Sequence, residues 1–289
     1  MQSKFLQHMN RSIAELEKIA TQVRRDIVRQ VHGAKSGHPG GSLGCTDVLT
    51  ALYFKVMNHS TSFNMDGNNE DLFFLSNGHI SPVMYSILAR AGYFPVSELS
   101  TFRKLNTRLQ GHPTTHDNLP GIRIASGSLG QGMSVAAGAA YSKKLNNDKA
   151  VVFSLHGDGE LQEGQIWEAA QFAAHHQLDN LISIVDWNKL QIDGPTEQVM
   201  ANGDLKAKFE AFGWQVCTMN GNDMNDVVAT LEKCKNNTGG SKPQMILMTT
   251  QMGFGIDFMM GDHHWHGVAP NDEQLEKALA QLDETLGDY

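Results

Sequence analysis

Apolar residues recur at Leu6, Met9, Ile13, Leu16, Ala20, Val23, Ile27 and Val31, in steps of three and four. That period lines one face of a helix and predicts a long amphipathic helix over residues 5–31, read as a core-packing element. Residues 32–44 break the period with five glycines and a proline and read as loop. A helix is expected over 46–56, a buried strand over 71–76 and a helix over 82–91. Residues 104–131 are polar and Gly-rich, and an irregular stretch of that length in a compact domain points to function. A small-residue helix over 134–145 follows. From there strands (150–155, 180–186, 214–219, 244–250) alternate with helices (163–176, 205–212, 224–233). A last helix is expected over 272–286, with Asn271 as N-cap and Gln274 three residues on.

The strands are near-continuous apolar runs, which marks a parallel sheet buried on both faces. The predicted fold is therefore α/β: a doubly wound, mainly parallel sheet with helices on both faces, binding its ligand beyond the carboxyl ends of the strands. No linker, repeat or low-complexity tract divides the chain, so residues 1–289 are read as a single domain with an N-terminal helical extension and a C-terminal helix.

Composition narrows the function. Twenty-three basic against 31 acidic residues give a net charge of −8, which argues against a nucleic-acid or anionic-membrane binder. No run approaches the roughly 18 apolar residues of a membrane span, and the N-terminus has no apolar stretch of the kind a secretory signal carries. Cys45, Cys217 and Cys234 are too scattered for a disulfide framework or a zinc site, so a reducing cytoplasm is the expected compartment. The 28 glycines and 13 histidines suggest backbone pressed against ligands and polar chemistry.

The sharpest local signal is His156-Gly157-Asp158-Gly159-Glu160, at the end of an apolar strand and before a helix. Glycines let the backbone approach a phosphate, and the helix N-terminus that follows favours negative charge. Asn188 ends the next strand, one helix and one strand later, and so reaches the same sheet edge as Asp158. An Asp carboxylate, an Asn amide oxygen and a backbone carbonyl, with diphosphate oxygens and water, make an all-oxygen site suited to magnesium or calcium. Gly-Asp-Gly alone would be an ordinary turn; strand context and spacing turn it into a ligand site.

These residues resemble the thiamine-diphosphate fingerprint, and GDGELQEGQIWEAA with IVDWNKLQIDG resembles the transketolase branch of that superfamily. AKSGHPGGSLG, DLFFLSNGHISPVMY, LQGHPTTH, SGSLGQGMSVAAGAA and HHWHGVAP extend the likeness, in order, over nearly the whole chain. The resemblance implies thiamine diphosphate and magnesium (or calcium or manganese) as cofactors, with Asp158, Asn188 and the Leu190 carbonyl as metal ligands. It implies Gly157 and Gly159 as the diphosphate cradle, His79 beside the diphosphate, and Gly127 and Leu129 as cofactor contacts. His38, His112 and His263 are implied to face the sugar, as hydrogen-bonding or proton-transferring groups. Glu163 and Glu168 are implied to link paired cofactor sites. His38, His79 and His112 each adjoin Gly or Pro in an irregular loop; His8, His59, His175 and His176 read as structural or merely exposed. For His263, His264 and His266, spacing alone would also allow a metal cluster. His156 stands where the family is usually apolar, and FMMGDHHWHG is bulkier than the common form of its segment. Phe254 and the nearby methionines read as packing or partner contact.

A complete transketolase is more than twice this length, and the acid that protonates the aminopyrimidine belongs to its next domain. The implied function is thus the N-terminal subunit of a split transketolase of the pentose phosphate pathway. It would transfer a two-carbon ketol unit between sugar phosphates, as part of an α2β2-type assembly with a C-terminal subunit carrying the pyrimidine-binding domain. Residues 133–141 and 163–168 are the expected partner contacts. The rival readings are a deoxyxylulose-phosphate synthase-like or 2-oxo-acid decarboxylating subunit, which lacks the full histidine set, and a non-catalytic regulatory subunit, which would have no need of an intact Asp158 and Asn188.

Overall fold

The computed structural model describes residues 11–289; the first part of the predicted 5–31 helix, and His8, lie outside them. Helix α1 (Ile13–Ala34) starts at Ser12, whose side chain accepts from the Glu15 N–H while Glu15 caps back, and it stops where Lys35 turns left-handed. The Gly-rich stretch expected as loop instead holds a short helix α2 (Pro39–Gly44), opened by Pro39 at its first position. Helix α3 (Thr46–Ala51) runs into a wide π turn, Leu52–Val56. There follow β1 (Leu72–Leu75), α4 (Ser81–Ala91), α5 (Gln131–Leu145), β2 (Val152–Gly157), α6 (Gly164–His175) and β3 (Leu181–Asp186). A small hairpin of β4 (Leu190–Gln191) and β5 (Gly194–Pro195) and helix α7 (Thr196–Met200) come next; none of the three is expected from sequence. The chain closes with α8 (Leu205–Ala211), β6 (Gln215–Asn220), α9 (Met224–Asn236), β7 (Gln244–Thr249) and α10 (Asp272–Gln281). Helix α10 has the expected capping box at Asn271 but ends at Gln281, short of residue 286.

Five strands form one parallel sheet in the order β1-β2-β3-β7-β6. Alternation along β1 shows why it is buried on both sides. Leu72 and Phe74 pack with Ala136, Ala140 and Ile166 of α5 and α6, while Phe73 and Leu75 pack with Leu49 and Val83 of α3 and α4. After β3 the chain skips a place to lay down β6 at the edge and returns to insert β7. The winding direction therefore reverses only at β6, and the residues at the carboxyl ends of β1, β2 and β3 come together along one edge of the sheet. Buried ion pairs lock α1 behind this sheet: Arg24 to Asp47 at 2.6 Å, and Arg90 forked onto Asp26 by two bonds of 2.7 Å.

Candidate active site

The first half of the site comes from strand ends. Asp158 directly follows β2 and Asp186 closes β3; each is 2% exposed. Asp158 Oδ1 accepts from Gly159 N at 2.7 Å and Oδ2 from Lys189 N at 2.6 Å. Asn188 donates to Asp186 Oδ2 at 2.9 Å, and its own Oδ1 accepts from Leu190 N at 2.8 Å. Lys189 between them has φ +64°, a left-handed turn that bends the chain back towards β2. Thr250, just past β7, donates to the other oxygen of Asp186. Burial, and then the charge of Asp186, push Asp158 up to about 7. Burial also raises Asp186. Two buried carboxylates with an amide oxygen alongside are the hard-oxygen chemistry a divalent cation stabilises. Asn77 Oδ1, buried and without a protein partner at the end of β1, adds an open polar atom at the same edge. The residues therefore fit the metal–diphosphate end of the expected cofactor.

Glu160 organises the second part. At 2% exposure, it accepts from Gly157 N at 3.0 Å, from Gly130 N at 2.9 Å and from Ser76 Oγ. Ser76 Oγ accepts in turn from Gly132 N at 3.1 Å. A Cβ on Gly132 would stand 2.3 Å from Ser76 Cβ, so only glycine lets the start of α5 meet the end of β1. One carboxylate thus joins the end of β1, the β2 loop and Gly130 at the start of α5. Burial would raise Glu160, but His156, Ser76 and the Gly130 N–H outweigh it and hold the group ionised. His156, fully buried, bonds Ser154 Oγ at 2.8 Å and brings Nδ1 to 3.6 Å from Glu160.

Four imidazoles make the opposite wall. His38 lies 5.1 Å from His79, 5.7 Å from His266 and 6.3 Å from His112, ring centre to ring centre; His79 and His266 stack at 5.0 Å. Burial is the main cause that lowers each of them, followed for His38 by His266, Arg103 and His112, and it drives His38 down to about 4. Each is thereby biased towards its neutral form. The Nδ1 atoms of His38 and His266 are buried without partners.

Both halves line one cavity of about 370 Å³. Of the residues singled out from sequence, it gathers His38, His79, His112, Gly127, Leu129, Gly157, Asp158, Gly159, Glu163, Asn188 and Leu190. It does not gather Glu168, on the exposed side of α6. Nor does it gather His263. That side chain is 36% exposed beside Asp262 and His264, and the place in the cluster is taken by His266. Sequence reasoning misses His266, Glu160, Asp186 and Asn77. A signal for His266 is available: it adjoins Gly267, as the other three site histidines adjoin Gly or Pro, and His263 does not.

The carboxyl edge of this parallel α/β sheet, the edge at which such folds take up ligands, thus brings buried acids and a cluster of histidines into one cavity. Residues 16–285 match the family described as transketolase, thiamine diphosphate binding domain, and the chain belongs to that family. It is 40% identical over 274 residues to an apulose-4-phosphate transketolase subunit of Actinobacillus succinogenes, covering 94% of this chain and 98% of that one. It is 37% identical over 275 residues to the 6-deoxy-6-sulfo-D-fructose transketolase subunit SqwG of a Clostridium species, covering 95% and 98%. Among solved structures, the transketolase of Campylobacter jejuni superposes with a TM-score of 0.86 at 35% identity, over 95% of this chain but only 43% of that one. The chain is thus a transketolase-type transferase component, and it spans under half the length of the full-length transketolase. Among the described residues, no helix is long and apolar enough to cross a membrane.

Proposed function

We propose that this chain is the diphosphate-binding subunit of a two-chain transketolase that moves a two-carbon ketol unit between anionic sugars. The observation that carries the reading is the meeting, in one cavity, of the Asp158–Asn188 edge with His38, His79, His112 and His266. Asp158, the Asn188 amide oxygen and the Leu190 carbonyl would hold a divalent cation, magnesium in the first place. Gly157 and Gly159 would leave room for the diphosphate, with His79 beside it and Gly127 and Leu129 against the rest of the cofactor. When bound, thiamine diphosphate supplies the carbanion chemistry that breaks and makes the carbon–carbon bond.

The histidines do the remaining work. Neutral imidazoles can accept a proton from a sugar hydroxyl and return it, and at contact distance they fix the hydroxyls by hydrogen bonds. His38, His112 and His266 are assigned this role; His266 replaces the His263 expected from sequence. Glu163, at the cavity rim, and Glu168, exposed on α6, face the partner side, where they would connect the two sites of an α2β2 assembly in the cytoplasm. The relatives' substrates, a ketose phosphate and a sulfonated ketose, share one anionic terminus, and that is the substrate class proposed here. The histidine wall favours ketol transfer over 2-oxo-acid decarboxylation, because decarboxylation has no row of hydroxyls to hold. The test is a direct competition on the assembled enzyme with cofactor and magnesium. Two-carbon transfer from a ketose phosphate to an aldose phosphate is expected; carbon dioxide release from 2-oxo acids without ketol transfer would overturn the reading.

A further inference from the structure

Arg103 lies outside the cavity lining, and the roles above do not use it. Its backbone takes φ +57°, an uncommon left-handed conformation for a side-chain-bearing residue. Its N–H bonds Leu109 O at 2.9 Å and closes the turn between them. From that turn the side chain meets both loops that carry His38 and His112. Nη1 donates to Ser36 Oγ at 2.9 Å, two residues before His38. The guanidinium lies against Gly111, the residue before His112: a Cβ there would stand 2.7 Å from Arg103 Cζ and 2.9 Å from Nε. Helix α4 grips the same segment from another side, through Ser81 Oγ to Gly111 O and Tyr85 OH to Gln110 O, both 2.8 Å. The peptide leading into His112 is thus held between α4 and Arg103, and Arg103 ties it to the segment leading into His38.

The charge of Arg103 is the second observation. A guanidinium stays protonated in proteins, yet Arg103 makes no ion pair among the described residues and its Nε is buried without a partner. An unneutralised cation therefore stands behind two imidazoles. His79, His266, His112 and Arg103 stand around His38, and the acids of the same cavity, Asp158, Glu160, Glu163 and Asp186, belong to its facing wall. For His112 burial comes first and Arg103 second, and both disfavour its protonation.

We infer that Arg103 is a positioning residue for the transfer reaction, fixing the His38 and His112 loops against each other and backing both imidazoles with positive charge. The inference rests on the reading of those two histidines as substrate-facing. It is tested on the assembled enzyme with Arg103→Met, Arg103→Lys and Ser36→Ala, by kcat/KM against pH and by calorimetric titration of the cofactor. Removing the cation makes the imidazoles easier to protonate, so Arg103→Met moves the acid limb of kcat/KM to higher pH, by about half to one unit for a charge at this range. It also lowers kcat/KM on the order of tenfold or more through loss of alignment. Arg103→Lys keeps the acid limb but not full kcat/KM, because an ammonium cannot both bond Ser36 and lie flat on Gly111. Ser36→Ala lowers kcat/KM a few-fold with the limb unmoved. Cofactor affinity stays at the wild-type value in all three. An acid limb that does not move in Arg103→Met, or that moves equally in Arg103→Lys, overturns the inference. Should Arg103→Met fail to fold, wild-type kcat/KM in both Arg103→Lys and Ser36→Ala overturns it. Full activity in His38→Ala and His112→Ala would instead remove the substrate-facing reading itself, which separates the two failures.

Discussion

His263 and His266 sit three positions apart, one at the surface and one in the cluster, and they give the sharpest test of the site. His266→Ala should lower kcat/KM of the assembled enzyme at least tenfold, since it removes a partly buried imidazole from the wall. His263→Ala should stay within about twofold, as surface changes usually do. Steady-state kinetics of the pair decides it, and the reverse ranking would return the role to His263. Asp158→Ala should abolish magnesium-dependent cofactor binding, for it deletes the anionic ligand and leaves Asp186 to repel the diphosphate. Unchanged affinity by isothermal titration would dismiss Asp158 as a ligand. The Asp158–Asn188 edge is legible in the sequence because strand, Gly-Asp-Gly and a distant Asn form a spaced pattern. Glu160 is not, since its partners Ser76, Gly130 and Gly157 come from three separate segments and only folding brings them to one carboxylate. Asp186 is hidden for a similar reason: it reads as the last residue of an apolar strand, and its meaning depends on its neighbour Asp158 across the sheet.

At the level of elements, the period of apolar residues locates the main strands and most of the long helices, because β1, β2, β3 and β7 are covered on both faces and read as near-continuous apolar runs, whereas the edge strand β6 is mostly exposed. It fails where backbone geometry outranks side-chain pattern. The 39–44 stretch is helical despite its three glycines because Pro39 starts the turn and all six residues are buried against neighbours, so packing overrides the glycine penalty. The β4–β5 hairpin has two residues per strand, too few to leave a period. The attachment of α4 to α1 shows what holds these elements in place. Asp26 is fully buried and meets Arg90 in a two-bond fork. Burial raises the Asp26 pKa even against that cation. Arg90→Met should therefore cost roughly 3–5 kcal/mol by stranding a buried carboxylate, whereas Arg90→Met with Asp26→Leu should recover much of the loss. Urea denaturation of the four proteins measures both; additive losses in the double variant would show that the pair is not coupled.

For the whole molecule, the proposed function demands a second chain, and the surface offers a place for it. Helix α5 carries Gly138 on its exposed side, and a Cβ there would meet nothing within 4 Å. Val135, at 41% exposure on the same helix, and Phe172, at 40% on the neighbouring α6, flank it with apolar surface. A glycine in mid-helix weakens the helix by about 1 kcal/mol relative to Ala, a cost that nothing inside this chain explains but that close approach by another helix would. A stable interface that completes the site should belong to the obligate class, roughly 2,000 Å² or more. The clash-free surroundings make Gly138→Trp a clean probe. It should leave the isolated chain as stable as wild type or slightly more so in thermal melts, while preventing co-sedimentation with the companion chain and abolishing ketol transfer. The unmodified chain alone should show no transfer, and adding the companion should restore it. Robust turnover by the lone chain, linear in its concentration, would rule out the two-chain enzyme, and a Gly138→Trp protein that still assembles and works would move the interface elsewhere on the surface.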